Sequence, residues 1–293
     1  MPVPNDPSWR FQGRLGVSEL LRIILAAVER RQGFSLIRLG CSEGIAMAWP
    51  DISTREELAS HLFGWFGPQD FSDQDRDQIA QLARSSVLSA DVIGLPTLAQ
   101  MEKDIGYPRV FEAVELHDLQ RHRPHKCDAN IHWYLQFSGA IASIVRDRDF
   151  IGLIGCREID QELMQTFNVA STRSYLVRGE EGYKGSVLEP HWPTGFSRIR
   201  DQLEVPYPGA IFLVGAGVLG KAYCEMVKQQ GGVALDIGSL FDSWASVTSR
   251  LRFGRFPQLF SLDHCKTVIE DAKARQQRMD GYIVELGLET ATY

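Results

Sequence analysis

Several features that mark common protein classes are scarce or missing in this sequence of 293 residues. It has only five cysteines, an odd number, and no two of them show the Cys-x-x-Cys spacing of redox motifs and zinc ribbons. We therefore expect neither a disulfide framework nor a structural zinc site. Unpaired cysteines are typical of reducing compartments, so the composition favours a cytoplasmic protein.

Long apolar runs and a strong positive charge are also absent. No stretch approaches the ~18 apolar residues that a membrane-spanning helix needs, and the first ten residues do not contain the apolar run of a signal peptide. The formal net charge is −6, whereas sequence-independent nucleic-acid binding requires a cationic face. We expect a globular protein without a membrane span and without a nucleic-acid partner.

Strand-like and helix-like segments alternate along the chain. Short apolar runs bounded by glycine or proline predict strands at 34–39, 90–96, 150–155, 174–177, 210–214 and 233–237. Helical spacing of apolar residues predicts helices at 18–31, 55–66, 73–86, 197–203 and 219–230, with 130–145 as a mixed segment compatible with helix. This alternation predicts an α/β fold: a Rossmann-like, largely parallel sheet flanked by helices, with a helical N-terminal portion.

One domain is expected over residues 1–293, because no repeat, low-complexity tract or linker divides the chain. Within it, 1–33 is a helical N-terminal segment and 34–262 holds the sheet and the ligand site. A C-terminal helix and tail occupy 263–293.

The strongest site signal is a glycine-rich turn between a strand and a helix. The strand 210–214 is followed by Gly215, Gly217 and Gly220, and then by Lys221. At the start of a helix the first backbone N–H groups lack partners and the helix dipole is positive, so such a turn suits a phosphate group. Glycines let an anion approach the backbone, and the lysine adds a positive charge. The alternative is that the glycines serve only helix–strand packing.

Two nucleotide motifs compete for this turn. The glycines fit G-x-G-x-x-G, and Asp236 ends the next strand about twenty residues on, where a ribose-binding acid stands in dinucleotide-binding proteins. That spacing supports an NAD(P)-dependent oxidoreductase. The same residues nearly fit the P-loop pattern, but Ala222 stands where a hydroxyl holds magnesium, which argues against an NTPase.

A second constellation follows the first predicted strand. The strand 34–39 ends in Arg38, and Gly40 and Glu43 come directly after it. In open α/β sheets, ligands bind outside the carboxyl ends of the strands. An arginine and a carboxylate in that place suit a pyrophosphate and its metal ion, although each is also compatible with a purely structural role.

Together the two segments resemble the bacterial glycosyltransferases of the GT-D fold. That group carries an Arg-x-Gly-Asp-x-Glu-like motif after an early strand, which Arg38, Gly40 and Glu43 match. The later runs 212–221 and 232–239 look like the C-terminal part of the same group. The resemblance covers about 30–250 and implies a Rossmann-like sheet, a nucleotide-sugar donor, usually a uridine diphosphate sugar, and a divalent metal, Mn or Mg.

One position departs from the family pattern. The acidic pair Asp-x-Glu would fall at Cys41 and Glu43, so that cysteine replaces the aspartate. Magnesium and manganese prefer oxygen ligands to a thiol. Three outcomes stay open: a weakened metal site at Glu43, metal-independent transfer, or a non-catalytic nucleotide-binding protein that retains the donor pocket.

The resemblance also suggests roles for the donor-side residues. Lys221 and the backbone amides of 217–221 would neutralise the charge that develops on a nucleoside diphosphate leaving group. Arg38 and Glu43, the latter through a metal, would assist from the facing loop. Asp236 would hydrogen-bond ribose or sugar hydroxyls, or else cap the turn that follows its strand.

An acceptor hydroxyl needs a general base, for which the sequence offers three candidates. His191 lies in a proline-bounded, aromatic loop before the glycine turn, and Asp242 follows the strand 233–237. His132 is the third. Trp192, beside His191, is an aromatic ring that suits stacking on a sugar or a base, although tryptophan is commonly a core residue. The acceptor itself, whether a glycan, a lipid-linked molecule or a protein, is not indicated.

Overall fold

A computed structural model describes residues 7–122 and 124–287 of the chain. Over these residues, seven strands form one sheet in which every neighbouring pair is parallel. The strands are β1 (Phe34–Arg38), β2 (Val92–Leu95), β3 (His125–Asp128), β4 (Ile151–Gly155), β5 (Thr172–Leu176), β6 (Ile211–Gly215) and β7 (Val233–Asp236). The predicted α/β fold with a parallel sheet is confirmed.

Helices cover both faces of this sheet, as an all-parallel sheet requires. In chain order they are α1 (Val17–Glu29), α2 (Cys41–Met47), α3 (Arg55–Phe66), α4 (Asp73–Ser89), α5 (Leu98–Met101), α6 (Gly106–Leu116), α7 (Ile131–Phe137), α8 (Ala140–Val145), α9 (Asp160–Phe167), α10 (Phe196–Gln202), α11 (Gly220–Gln229), α12 (Leu240–Trp244), α13 (Leu251–Arg255), α14 (Leu262–Cys265) and α15 (Ala272–Glu285). In the described part of the chain, no helix combines the length and apolar character needed to cross a bilayer.

Two apolar cores result from the alternation of side chains along the strands. In β6, Phe212 and Val214 point into one core, where α2, α3, α4, α6, α10 and α11 pack. Ile211 and Leu213 point to the opposite face, which α1, α7, α8, α9 and α12 to α15 cover. Since both faces of each central strand are buried, these strands are continuous apolar runs in the sequence.

The strand order is β3-β2-β1-β7-β6-β4-β5. The chain after β1 turns to α2, which packs in the first core, whereas the chain after the neighbouring β7 turns to α12 in the second. Loops that leave adjacent parallel strands toward opposite faces open a crevice at their carboxyl ends. The fold therefore places a crevice between β1 and β7.

Most predicted elements occur close to their expected positions, but several elements of the described residues were not predicted. They are the strand β3 and the helices α2, α5, α6, α9, α12, α13 and α14. β3 has the polar sequence His-Lys-Cys-Asp, which carries no strand signal, and it lies at one edge of the sheet, where the Lys126 ammonium donates to the carbonyls of Trp9 and Gln12. The division into segments 1–33, 34–262 and 263–293 stays a prediction, and its ends at 1–6 and 288–293 lie outside the described residues.

Candidate functional site

A cavity of about 280 Å³ opens at the carboxyl ends of the strands. The last residues of β1, β6 and β7, which are Arg38, Gly215 and Asp236, line it together with Cys156 and Val177, which follow β4 and β5. Glu43 and Lys221 from the two predicted motifs line the same cavity. Segments far apart in the sequence thus meet at the crevice that the strand order creates.

The Lys221 ammonium joins the two motifs at the base of this cavity. Its Nζ lies 2.6 Å from Oε1 of Glu43 and 2.9 Å from Oδ2 of Asp236, and it donates to the carbonyl of Gly217 at 3.2 Å. The lysine side chain is only 5% exposed, and the two carboxylates are equally buried. All three donors of the ammonium therefore have a partner.

Arg38 holds Asp236 from the other side. Its backbone N–H donates to Oδ2 of Asp236 at 3.2 Å, its Nε donates to the Asp236 carbonyl at 3.0 Å, and its Nη2 lies 3.4 Å from Oδ1. Nη1 donates to the carbonyl of Ala129 and contacts the ring of His132. Gly238 makes room for this guanidinium, since a Cβ there would lie 1.9 Å from Nη2 of Arg38 and the φ of Gly238 is +51°.

These four charged groups balance one another. Burial by itself lowers the pKa of Lys221, but the carboxylates of Asp236 and Glu43 outweigh it, and the pKa of Lys221 is raised. Burial raises the pKa of Asp236, but the charges of Lys221 and Arg38 overcome that effect, and the pKa of Asp236 is lowered. Counted by their formal charges, the two cations and the two carboxylates give the network no net charge.

Side chains of neighbouring elements pack directly against two glycines of the turn. Gly217 has φ +57°, and a Cβ on it would lie 2.3 Å from the indole of Trp65, which covers the turn. A Cβ on Gly215 would lie 2.4 Å from the ring of Phe241. Gly220 begins α11 with ordinary space around it, since the nearest atom to a Cβ there is 3.5 Å away. Gly215 and Gly217 are therefore required by their neighbours whatever the turn binds.

Glu43 also serves as a cap of its own helix. Its Oε2 accepts from the backbone N–H of Gly40 at 2.9 Å, in the first turn of α2, while Oε1 faces Lys221. The neighbouring Cys41 thiol has its pKa raised to about 11 by burial and by the carboxylates of Glu43 and Asp104. A neutral thiol is a poor ligand for a hard cation.

The expected divalent metal does not fit this set of donors. Both oxygens of Glu43 already have hydrogen-bonded partners, and Cys41 supplies a protonated thiol. Among residues 7–122 and 124–287, no three carboxylate, histidine or cysteine side chains are grouped so as to hold a metal ion. The lysine ammonium stands between the two carboxylates that would be the natural ligands.

His191 lies in the cavity wall with its ring in an aromatic cluster. The ring stacks on Tyr223 at a centroid distance of 5.9 Å, meets Phe66 edge-on, and its Nε2 lies 2.9 Å from the Tyr223 hydroxyl. Burial, assisted by the charge of Arg198, lowers the pKa of His191 to about 3. Trp192 points away into the core, where its N–H donates to Asp75.

Asp242, the second of the three predicted bases, lines the same cavity from α12. Its Oδ1 accepts from Nε of Arg157 at 2.7 Å, and its Oδ2 accepts from the Ser249 hydroxyl at 2.6 Å. The Cys156 thiol also donates to Oδ1, at 3.8 Å. Oδ2, with one donor, can accept a second hydrogen bond.

His132, the third predicted base, also lines the cavity, where it contacts Arg38. Burial together with the charges of Arg38, Arg250 and Lys221 lowers its pKa well below the usual range, which leaves a neutral ring. Other lining residues were not predicted from the sequence. Arg250 and Glu180 form a two-pronged ion pair on opposite loops of the rim. The rule that loops after parallel strands carry ligand sites would have found these loops, since 177–190 follows β5 and 237–250 follows β7.

Comparison with known proteins identifies a family and solved structures of similar fold. A protein-family model described as a GT-D fold-like domain matches residues 15–172. A solved structure of domain of unknown function 1792, described as having a distinct glycosyltransferase fold, has a TM-score of 0.50 and 14% identity, covering 92% of this chain and 95% of its own. No curated protein matches.

A second solved structure agrees. It is described as a new glycosyltransferase (DUF1792) from Streptococcus sanguinis and is 14% identical, with a TM-score of 0.50, covering 91% of this chain and 97% of its own. Identity at this level shows the fold alone. Nothing in the comparisons supports an oxidoreductase, and the Asp236 carboxylate, on which that alternative depended, is buried against Lys221 and Arg38. The family model spans more than half of the sequence, and the chain accordingly belongs to the GT-D-like family and has its glycosyltransferase fold.

Proposed function

We propose that this protein is a glycosyltransferase that takes a sugar from a nucleoside diphosphate sugar, a uridine diphosphate sugar first among them, and transfers it to an acceptor hydroxyl. The supporting observation is that Arg38, Glu43, Lys221 and Asp236, from both motifs of the GT-D resemblance, meet in one cavity at the β1–β7 crevice. Membership of the GT-D-like family makes sugar transfer the activity to test first.

In this proposal the donor's diphosphate lies against the start of α11. Gly215 and Gly217 of the turn line the cavity at the positive end of the α11 dipole, and Gly40 at the start of α2 lines it as well. The ammonium of Lys221 lies at the base of the cavity, where it contacts Glu43, Asp236 and the Gly217 carbonyl. Its role is to hold Glu43 and Asp236 in fixed positions, and Asp236 in turn fixes Arg38.

Transfer itself exchanges one bond for another at the sugar's anomeric carbon. The acceptor oxygen forms a bond to that carbon, the bond from the carbon to the diphosphate oxygen breaks, and the acceptor's proton passes to a base. We assign the base to Asp242, because its carboxylate borders the cavity and is held by Arg157 and Ser249. His191 is a weaker candidate, since its ring is packed between Tyr223 and Phe66 and its Nε2 already contacts the Tyr223 hydroxyl.

Calorimetric titration and thermal-shift measurements with a panel of nucleotide sugars, free nucleotides and NAD(H) test the proposal. We expect uridine diphosphate and its sugars to bind and to raise the melting temperature. Asp242→Asn should leave the donor Kd within about threefold but lower donor turnover by about 100-fold or more, the range of a lost general base.

Each alternative has its own signature in the same experiment. Binding without hydrolysis or transfer, in the wild type as in Asp242→Asn, would identify a non-catalytic nucleotide-binding protein. A response to NAD(H) with none to any nucleotide sugar would overturn the proposal in favour of an oxidoreductase.

A further inference from the structure

The cations that line the cavity differ in how far their donors are already used. Arg38 and Lys221 sit at its base, where Lys221 is partnered three times and Arg38 donates to Asp236 and Ala129. Because these two cations are balanced by Glu43 and Asp236, the base of the cavity offers a diphosphate no uncompensated positive charge. The charge that meets the donor has to come from elsewhere in the wall.

Arg250 at the rim is the cation best suited to meet an anion. Its guanidinium forms a two-pronged pair with the Glu180 carboxylate, and its Nη1 also donates to the carbonyl of Ser249 at 2.8 Å. About a third of its side chain is exposed, against 5% for Lys221. A guanidinium fork that holds a carboxylate fits a phosphate equally well, so a diphosphate can take the place of Glu180.

The loop that carries Glu180 contributes further positive charge. On it, Arg178 and Lys184 share the single carboxylate of Glu181, at 2.8 Å and 2.6 Å. With Arg250 and Glu180, three cations and two carboxylates lie together here, and of these Arg178, Glu180 and Arg250 line the cavity. An anion that enters here gains attraction from the rim as a whole.

A divalent metal would add little at the base of the same cavity. The two carboxylates nearest the turn are bridged by the Lys221 ammonium, and a metal ion placed beside them would lie close to that ammonium and to the Arg38 guanidinium. Like charges at such distances repel each other. Cys41 stands where the family motif has an aspartate, and a thiol is a poor ligand for a hard cation.

We propose that this site binds the donor's diphosphate with its own cations, Arg250 foremost, and that donor binding requires no divalent metal. The inference rests on the proposed function, since it concerns the same donor. It assigns Lys221 the place that a metal ion would take between Glu43 and Asp236. It assigns Glu180 the role of a carboxylate that the incoming diphosphate displaces.

Titration calorimetry with uridine diphosphate, in an excess of EDTA and separately in Mn²⁺, tests both parts. We expect Kd values within about twofold of each other in the two buffers. Adding the protein without nucleotide to a Mn²⁺ solution should not reduce the electron paramagnetic resonance signal of free Mn²⁺. Arg250→Met should weaken binding by about tenfold or more, and Arg250→Lys by less, since a lysine keeps the charge without the fork.

Two further variants test whether an effect on nucleotide binding is specific to Arg250. Glu180→Gln should bind uridine diphosphate a few-fold more tightly, because Arg250 loses its competing partner, an outcome that a merely structural role for the pair would not produce. Arg255→Met is the matched control, since this arginine is exposed five residues further along and stacks on Phe256. Thermal melting of each variant verifies folding.

The outcomes separate this inference from the function on which it depends. Binding that appears only with Mn²⁺ would overturn the metal-independent site and leave the glycosyltransferase proposal standing. Equal affinities of Arg250→Met and Arg255→Met would overturn the assignment of Arg250. If no nucleotide or nucleotide sugar binds in either buffer, the proposed function fails and this inference fails with it.

Discussion

Replacing Lys221 by methionine removes the cation that two buried carboxylates share. Methionine has a similar length and fills the same volume, so the change is mainly one of charge. Glu43 and Asp236 are then left with buried negative charge, although Asp236 keeps Arg38. Breaking a buried ion pair from one side costs about 3–5 kcal/mol, because an uncompensated charge stays behind in a medium of low dielectric.

Lys228→Met is a matched control on the same helix. Lys228 pairs with Asp91 at 2.8 Å, but a quarter or more of each side chain is exposed. Such surface pairs contribute about 0–1 kcal/mol. Urea unfolding of the wild type and the two variants should therefore show a large fall in the free energy of unfolding for Lys221→Met and a small one for Lys228→Met, with similar m-values.

The stability that Lys221 and Asp236 contribute depends on pH in opposite directions. The pKa of Lys221 is raised above 10.5 in the folded protein, so its contribution is complete below pH 10.5 and is lost as the pH rises through the folded value. The pKa of Asp236 is lowered below 3.8, so its contribution is present above pH 3.8 and is lost as the pH falls through the folded value. The loss in the free energy of unfolding that Lys221→Met causes should be largest at neutral pH and shrink toward pH 4, because protonation removes the uncompensated negative charge.

A double variant tests whether the charge is the cause. Glu43→Gln removes one of the two carboxylates but keeps an oxygen for the N–H of Gly40. Lys221→Met with Glu43→Gln should therefore be less destabilised than the sum of the single variants, by about 1–3 kcal/mol. The reasoning is refuted if Lys221→Met costs no more than Lys228→Met, or if its deficit does not change with pH.

Three smaller perturbations follow from the same site. Gly217→Ala should lower the free energy of unfolding by about 2 kcal/mol or more, because the added Cβ meets Trp65 at 2.3 Å and the φ of this residue is +57°. Gly220→Ala in the same turn should be near neutral. Chemical denaturation measures both variants, and equal effects would contradict the packing argument. His191 has a folded pKa of about 3, below its ordinary 6.5, so it contributes stability that is lost as the pH falls below 6.5. Between pH 6.5 and pH 4, the free energy of unfolding of His191→Gln should therefore vary less with pH than that of the wild type. An equal pH dependence in both proteins would exclude this residue as a cause. Cys41, with a pKa of about 11, should react with iodoacetamide at pH 8 on the order of 100-fold more slowly than free cysteine, as measured by peptide mass spectrometry, and a fast reaction would show that the thiol is not held in its neutral form.

Local sequence patterns determined the architecture and the position of the site. The strands that became β1, β4, β6 and β7 are buried on both faces, and such strands are recognisable as apolar runs without any knowledge of their neighbours. Parallel strands bring their carboxyl ends to one edge, so residues that follow them were predicted to share a site. Arg38, Glu43, Lys221 and Asp236 do share it.

The partners of those residues were decided by the tertiary structure alone. The sequence places Lys221 beside the glycine turn and suggests a contact with phosphate, but only the β1–β7 neighbourhood brings Glu43 and Asp236 within 2.9 Å of its ammonium. The same holds for the packing of Trp65 on Gly217 and for the pairing of Arg250 with Glu180. These contacts join positions between 15 and 178 residues apart.

The physical reason is the range of the interactions involved. Hydrophobic periodicity and turn chemistry act between near neighbours, so the sequence by itself determined the elements of this protein and the edge of the sheet where they end. Charge pairing and desolvation depend on which groups are buried together, and burial exists only once the two sheet faces are covered. The tertiary structure therefore decided that Lys221 neutralises two carboxylates, and that Arg250 pairs with Glu180 at the rim of the cavity.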